Sequence, residues 1–266
     1  MKVCIVTRED GLHLNDPLKH VIARSRRRLS ALVLIEEAPR VFKSPSYRVR
    51  AFLVTLLAMR PRYFLKTVIK SVRCAVAGRA ATLEEFARAR AIPVFRAKTP
   101  NDPSCLRLLA GISPDVVIHQ SPFILKRPFL AIPRVCTLNR HGSLLPLYRG
   151  LLAPFWALSE SASTSGVTIH TVDESIDGGK AVVQEAILLG RKECLGSLLE
   201  KGFGMSGALF CRALDRIEGD EDSFRFLADG GESSGPRAPG KTYGFPAGRD
   251  ILAYRWRRMK DALAGR

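Results

Sequence analysis

The sequence predicts an α/β fold, a mostly parallel β-sheet flanked by helices, and two observations carry the prediction. Short, unbroken apolar runs rich in β-branched residues recur at strand length, which is how strands buried on both faces read. Segments with helical spacing separate them, and the order strand, helix, strand implies parallel pairing through a crossover. With 266 residues, 46% of them hydrophobic, the chain can cover such a sheet on both sides.

"KVCIVT" opens the chain as a buried first strand, and no glycine-rich phosphate loop follows it. "DPLKHVIARSRRR" has helical spacing, with Asp16 placed to cap it and Pro17 in its first turn. "LSALVLIEE" is the second buried strand. In "TLEEFARARAIP", Thr82 followed three positions later by Glu85 starts a helix that leads into the short strand "VFRA". "NDPSCLRLLAGISP" supplies a further helix, while "DVVIHQS" and "RVCTLNRH" supply further strands. "APFWALSES" returns to helix, with Phe155 and Trp156 read as packing residues. "GVTIHTVDES" and "AVVQEAILLG" alternate and suit an antiparallel pair at one edge. From about Asp229 the composition is that of a loop, and "GRDILAYRWRRMKDALAGR" reads as a basic helix. The expected organisation is one domain over 1–228, then a linker and a short basic C-terminal tail over 229–266.

Charge is unevenly placed. The formal net charge is +17, and from Arg40 to Arg79 there are ten Lys or Arg and no acid. Apolar residues recur there at helical spacing and Pro61 breaks the run, so a basic helical insertion of two amphipathic helices is expected over about 40–79. The expected arrangement has both helices covering the sheet with basic faces in water; docking on an anionic membrane is the alternative. Such a field favours anionic partners, whether nucleic acid, lipid headgroups or phosphorylated small molecules. The longest apolar stretches, "AFLV" and "LLAM" around Thr55, are far too short to span a bilayer. With no signal-like run at Met1, and six cysteines placed singly as reduced, buried thiols would be, a cytoplasmic location is expected.

The stretch "LNRHGSLLPLYRG" carries the chemistry. Residues two apart on a strand face the same way, so Asn139 and His141 point together while Arg140 points opposite. At the carboxyl edge of a parallel sheet, that shared space is where such folds bind ligands. After "VTIHTVD" comes "SIDGG", which places Asp177 on a tight glycine turn, 36 positions beyond His141. Amide, imidazole and carboxylate together suit acyl transfer: Asn139 and a protonated His141 are the expected donors to the oxyanion of the tetrahedral intermediate, and Asp177 favours the charged imidazole and can hold the water that relays a proton from the amine. His170, on its strand, reads as structural, and His119 as bordering the site. Neither has a second ligand at close spacing, so no metal is expected.

Together "LNRHGSLLPLYRG" and "SGVTIHTVDESIDGGKAVVQ" resemble the formyltetrahydrofolate-dependent formyltransferases, whose motifs are N-x-H-x-S-L-L-P and, downstream, G-x-T-x-H with D-x-G. The likeness runs from about Asp115 to Gln184 and more loosely over Met1 to Val41. It implies a Rossmann-like formyltransferase domain with Asn139, His141 and Asp177 as the catalytic trio. It also implies N10-formyltetrahydrofolate as co-substrate, with no metal. Aligning "HQSPFILKRPF" with the family's pterin-binding segment implies that Phe123, Ile124 and Leu125 line the folate pocket, assisted by the loop from Asp173 through Ile176 to Asp177, with Ser143 on the wall. Two positions depart from the family: Arg140 stands where an apolar residue is usual, and Lys180 where proline or a small polar residue is common.

The acceptor amine is approached by elimination. Methionyl-tRNA enzymes of the family generally add a C-terminal OB-like domain, which the residues after Asp229 are too few to build, and glycinamide ribonucleotide enzymes begin with a glycine-rich loop that "TREDGLHLND" does not match. The expectation is therefore a nucleotide-linked amino deoxysugar of a surface-polysaccharide pathway, with Arg149 as a contact for its diphosphate. No obligatory nucleic-acid partner is expected, whereas peripheral contact with an anionic membrane and a homodimer are both compatible with the sequence. Methionyl-tRNA and glycinamide ribonucleotide stay as alternative acceptors. A non-catalytic basic protein that binds nucleic acid or membrane is the alternative of another class.

Overall fold

The computed structural model describes residues 1–9, 13–25, 28–77, 82–225 and 241–263. Its first half alternates β1 (Val3–Thr7), α1 (Asn15–Arg24) and β2 (Leu29–Ile35) with the insertion helices α2 (Arg40–Lys43), α3 (Pro45–Ala58) and α4 (Pro61–Ala77). Then follow α5 (Leu83–Arg88), β3 (Val94–Ala97), α6 (Pro103–Ile112), β4 (Val116–Gln120), α7 (Arg127–Leu130) and β5 (Cys136–His141). The remainder comprises β6 (Arg149–Gly150), α8 (Ala153–Ser159), β7 (Thr164–Thr171), β8 (Ala181–Leu188), α9 (Leu195–Gly219), β9 (Thr242–Tyr243) and α10 (Gly248–Leu263).

Seven strands form one sheet in the order β3-β2-β1-β4-β5-β7-β8. The pairs from β3 to β5 are parallel, and β7 and β8 add the antiparallel edge that their alternation predicts. Strand alternation divides the core. Val3 and Ile5 of β1 and Leu138 of β5 pack with Leu18, Val21, Leu209 and Phe210, on the side of α1 and α9. Cys4, Val6 and Val117 pack with Cys105, Leu109 and Phe129, on the side of α6 and α7. The result is a helix–sheet–helix sandwich, the Rossmann-like architecture expected, and β5 has its amide and imidazole on the α7 side. No helix among the described residues is long and apolar enough to cross a membrane.

The structure departs from the sequence expectations in three places. The 25-residue helix α9 is absent from them; glycines at 196, 202, 204 and 207 thin its apolar pattern, and it holds only because Leu195, Leu198, Leu209, Phe210, Leu214 and Ile217 are buried. Asp16 does not cap α1, whose cap position is Leu14 with no side-chain bond; its carboxylate instead pairs with Lys70 at 2.7 Å. The insertion does not cover the sheet. Val54 and Ala58 of α3 pack mainly with helices, in a cluster of Phe155, Leu158, Leu195, Leu198, Ile251 and Tyr254 from α8, α9 and α10 that meets the sheet only at Ile187 of its edge strand β8, and α4 leans on α1 and α9. Thr82, by contrast, caps α5 as its spacing predicts, accepting from the Glu85 amide at 3.1 Å. The expected boundary at 228/229 falls among residues outside the described set, and beyond it β9 and α10 are joined to the body, β9 by pairing with β6.

Candidate active site

Asn139 and His141 end β5 on one face, and β7 runs antiparallel beside them with His170 directly opposite Asn139. The amide oxygen of Asn139 accepts from the Arg140 backbone N–H at 2.8 Å and from the side-chain N–H of Gln120, at the end of the neighbouring strand β4. Two donors on Oδ1 fix which way the amide points, so its NH2 is the end left to donate. Arg140 turns the other way: its Nε donates to Ser206 Oγ at 2.8 Å and its guanidinium lies 4.0 Å from the Phe203 ring centroid. Burial pulls that guanidinium down to about 10, so it is charged at neutral pH.

Asp177 reaches the same place from the β7–β8 turn. It adopts φ +48, and Gly179 is required two positions on, because a Cβ there would lie 1.8 Å from the Thr171 carbonyl oxygen, whereas a Cβ on Gly178 would overlap only the rotatable Ser175 hydroxyl. Its Oδ2 accepts from the Gly150 amide at 2.7 Å and lies 3.4 Å from His141 Nδ1, while Oδ1 lies 3.8 Å from His170 Nε2. His141 Nε2 is 2.8 Å from the Tyr148 carbonyl, so that nitrogen carries a proton. Burial, opposed by Asp177, pulls His141 down to about 4, which leaves the resting ring neutral at pH 7. The protonated His141 expected as an oxyanion donor is therefore not the resting state that this packing favours.

The remaining expected residues divide. Phe123, Ile124, Leu125, Asp173 and Ile176 line one narrow cleft with Asn139, His170 and Asp177, enclosing about 100 Å³. Asn101 pins its floor, its side chain donating to the Ile124 carbonyl and accepting from the Lys126 amide, both at 2.9 Å. Ser143 is not on the wall. It is fully buried beneath the following loop, its hydroxyl donating to the Leu147 carbonyl at 2.6 Å. Arg149 lies on β6, next to the Gly150 amide that holds Asp177. Two residues go beyond the expectations. Gln120 could not be found, since its contact with Asn139 depends on strand register. His170, read as structural, borders the cleft: Nδ1 donates to the Thr171 carbonyl at 2.7 Å, so Nε2 is an acceptor, buried with no hydrogen-bond partner among the described residues.

An α/β sandwich that brings an amide, an imidazole and a carboxylate to the carboxyl edge of its sheet defines a class of group-transfer sites. The profile of the Formyl transferase family matches residues 66–214, more than half of the chain, and the chain belongs to that family. The methionyl-tRNA formyltransferase of Anaeromyxobacter dehalogenans is 32% identical over 148 residues, covering 53% of this chain and 47% of that protein. The bifunctional polymyxin resistance protein ArnA of Wigglesworthia glossinidia brevipalpis is 36% identical over 111 residues, 41% of this chain and 17% of that protein. The chain thus spans about half the length, or less, of the curated relatives it matches. Among solved structures, the phosphoribosylglycinamide formyltransferase of Bacillus halodurans has a TM-score of 0.59 at 18% identity, covering 85% of this chain and all of that one. A sugar N-formyltransferase from a Shewanella species has a TM-score of 0.57 at 12% identity, covering 96% of this chain and 87% of that one. These likenesses concern the fold.

Proposed function

We propose that the protein is an N-formyltransferase that moves a formyl group from N10-formyltetrahydrofolate to the amine of a nucleotide-linked amino deoxysugar. The observation that carries the transfer is the convergence of Asp177 Oδ2 on His141 Nδ1 at 3.4 Å, beside a cleft that Asn139 lines with apolar residues. The cleft has a lining that suits an apolar ring: buried Leu125 and partly buried Phe123 stand with the exposed aliphatic side chains of Ile124 and Ile176. Its volume admits a ring system and not a whole ligand of several hundred Å³, so the rest of folate would extend over the surface.

The residues support this sequence of events. The amine nitrogen attacks the formyl carbon, and the carbonyl electrons move onto its oxygen. The Asn139 NH2 donates to that oxyanion; one such donor is worth roughly 3 kcal/mol of barrier. Neutral His141 takes the proton that the amine loses onto Nδ1, its one unprotonated nitrogen, and Asp177 Oδ2, 3.4 Å from that atom, steadies the imidazolium so formed. His141 then gives the proton to the folate nitrogen as its bond to the carbon breaks, releasing tetrahydrofolate and a formamide. His170 Nε2 and Asp177 Oδ1 are both acceptors 3.8 Å apart, a place for the incoming N–H.

The sugar acceptor rests on less: a net charge of +17 that suits a diphosphate, Arg149 beside the site, and a sugar N-formyltransferase among the fold neighbours. The deciding experiment incubates the protein with N10-formyltetrahydrofolate and a panel of amino-sugar nucleotides, glycinamide ribonucleotide and Met-tRNA, and follows the mass gain of one formyl group. A formylated sugar nucleotide supports the reading. Formylation of Met-tRNA or glycinamide ribonucleotide alone overturns the acceptor and keeps the chemistry, while no transfer to any amine, with salt-dependent binding to nucleic acid or vesicles, favours the non-catalytic alternative.

A further inference from the structure

The insertion helix α4 is mounted inside out. Tyr63, Lys66, Thr67 and Lys70, at helical spacing on one side, line a cavity of about 420 Å³ against α1 and α9. That side is polar and tethered by charge: Lys66 pairs with Glu200 of α9 at 3.0 Å and Lys70 with Asp16 of α1 at 2.7 Å. The opposite side carries Leu65, Val68, Ile69, Val72 and Val76, also at helical spacing and all exposed to solvent, Val76 by 82%. An amphipathic helix of a globular protein turns its apolar stripe to the core; this one turns it to water.

The helix before it repeats the pattern in part. α3 buries Val54 and Ala58 while Val49, Phe52 and Leu56 form an exposed stripe on another side. Exposed cations border both stripes: Arg40, Lys43 and Arg48 around the start of α3, Arg62 and Arg73 along α4, with no acid between Arg40 and Arg79 to balance them. Among the described residues, none of these five forms a salt bridge.

We infer that this face docks the protein peripherally on an anionic lipid bilayer, with the apolar stripe of α4 in the headgroup boundary and the flanking arginines against lipid phosphates. The two halves of the pattern weigh against a second copy of the chain and against nucleic acid. A second copy of the chain would match apolar stripe to apolar stripe but would press two uncompensated cationic surfaces together. A nucleic acid would answer the charge, yet aliphatic side chains gain nothing from a phosphate backbone, whose recognition needs cations or aromatic platforms. A surface that is both apolar and anionic answers both halves. The inference does not depend on which amine is formylated.

The test is co-sedimentation of the full chain with vesicles of phosphatidylcholine alone and of phosphatidylcholine mixed with phosphatidylglycerol. Two variants accompany it: Ile69→Asp with Val72→Asp, and Arg48→Glu with Arg62→Glu and Arg73→Glu. Because these side chains are exposed, circular dichroism melts should be unchanged. Binding to the anionic vesicles, cut at least tenfold by either variant, supports the inference. It is overturned if the protein ignores anionic vesicles, or if the aspartate variant binds them as well as the parent does. It is also overturned if the parent is a dimer in solution that the aspartate variant converts to monomer, or if a homopolymeric RNA binds more tightly than the vesicles and the aspartate variant leaves that binding intact.

Discussion

The side-chain amide of Gln120 donates to Oδ1 of Asn139, from the end of β4 to the end of β5. Gln120 also donates to the His119 carbonyl at 2.7 Å, so its own amide is fixed. It acts on Asn139 and has no place among the reacting atoms, which makes it a positioning residue. Gln120→Leu should lower kcat roughly tenfold, less than the ~100-fold or more expected for Asn139→Ala, because the donor remains but loses its orientation. KM for formyltetrahydrofolate should hardly move. Gln120→Glu should be at least as damaging, since a carboxylate repels Oδ1 where an amide donates to it. Full turnover in Gln120→Leu would show that the Arg140 N–H alone suffices.

The burial of His141 sets a pH profile. With the ring neutral down to about 4, the acid limb of kcat/KM should lie well below the ordinary histidine range, and activity should be flat between about pH 6 and 8. Asp177 is the stronger of the two influences that oppose burial, the other being the hydrogen bond to the Tyr148 carbonyl. Asp177→Asn should therefore move the limb lower still while reducing kcat, because the imidazolium formed during transfer loses its carboxylate. A limb near pH 6.5 in the parent would mean that the ring is better solvated than its packing indicates.

What the sequence discloses about this site follows its local rules and stops where pairing begins. Alternation on β5 is local, so the common face of Asn139 and His141 and the opposite face of Arg140 could be read directly. Likewise the glycines after Asp177 announce a turn that brings a carboxylate inward. Gln120 and His170 sit beside Asn139 only because β4 and β7 flank β5 in one register, and no spacing within a single chain segment encodes that. The same limit applies to α4. Its amphipathic period is visible in the sequence, but the two salt bridges that turn its polar side inward join it to Asp16 and Glu200, far away in sequence. α9 was hidden for another reason: four glycines obscure a helix whose stability comes from burial between α1 and the sheet and not from its own propensity.

Three buried histidines make the fold sensitive to mild acid. Burial pushes His119 down to about 3, His141 down to about 4, and His170 below its usual value. In the unfolded chain each titrates near 6.5, so below that pH the unfolded state binds more protons. Their contribution is complete above about pH 6.5 and is lost as pH falls toward the folded values, by roughly 1.4 kcal/mol per pH unit for each proton of difference. The carboxylates held below their ordinary values, Glu84, Asp115, Glu193, Asp220 and Glu221, add a loss of the same sign, but their ordinary values lie below the pH 5 to 7 range of the test. Urea midpoints should fall steadily from pH 7 to pH 5, and His119→Gln should flatten that slope by about one proton. Equal stability at the two pH values would contradict the buried, neutral state of these rings.

Gly150 ties the Asp177 carboxylate to the C-terminal segment. It adopts φ +91, and a Cβ there would lie 2.2 Å from the Tyr243 carbonyl oxygen, the same oxygen that accepts from the Leu151 amide at 2.9 Å. Gly150→Ala must therefore displace β9 or rotate the backbone out of the left-handed region. Either movement withdraws the amide that donates to Asp177 Oδ2 at 2.7 Å. The expected cost is about 2 kcal/mol of stability from the strained backbone, with kcat reduced and folate binding retained, because the cleft walls at Phe123 and Leu125 are untouched. Gly111→Ala is the matched control. It lies near the end of α6 with nothing within 4 Å of the added carbon, so it should stabilise the protein by about 0.5–1 kcal/mol and leave turnover unchanged. If Gly150→Ala instead matches the parent in both stability and kcat, the Gly150–Asp177 bond does not position the carboxylate, and Asp177 is held by its own turn alone.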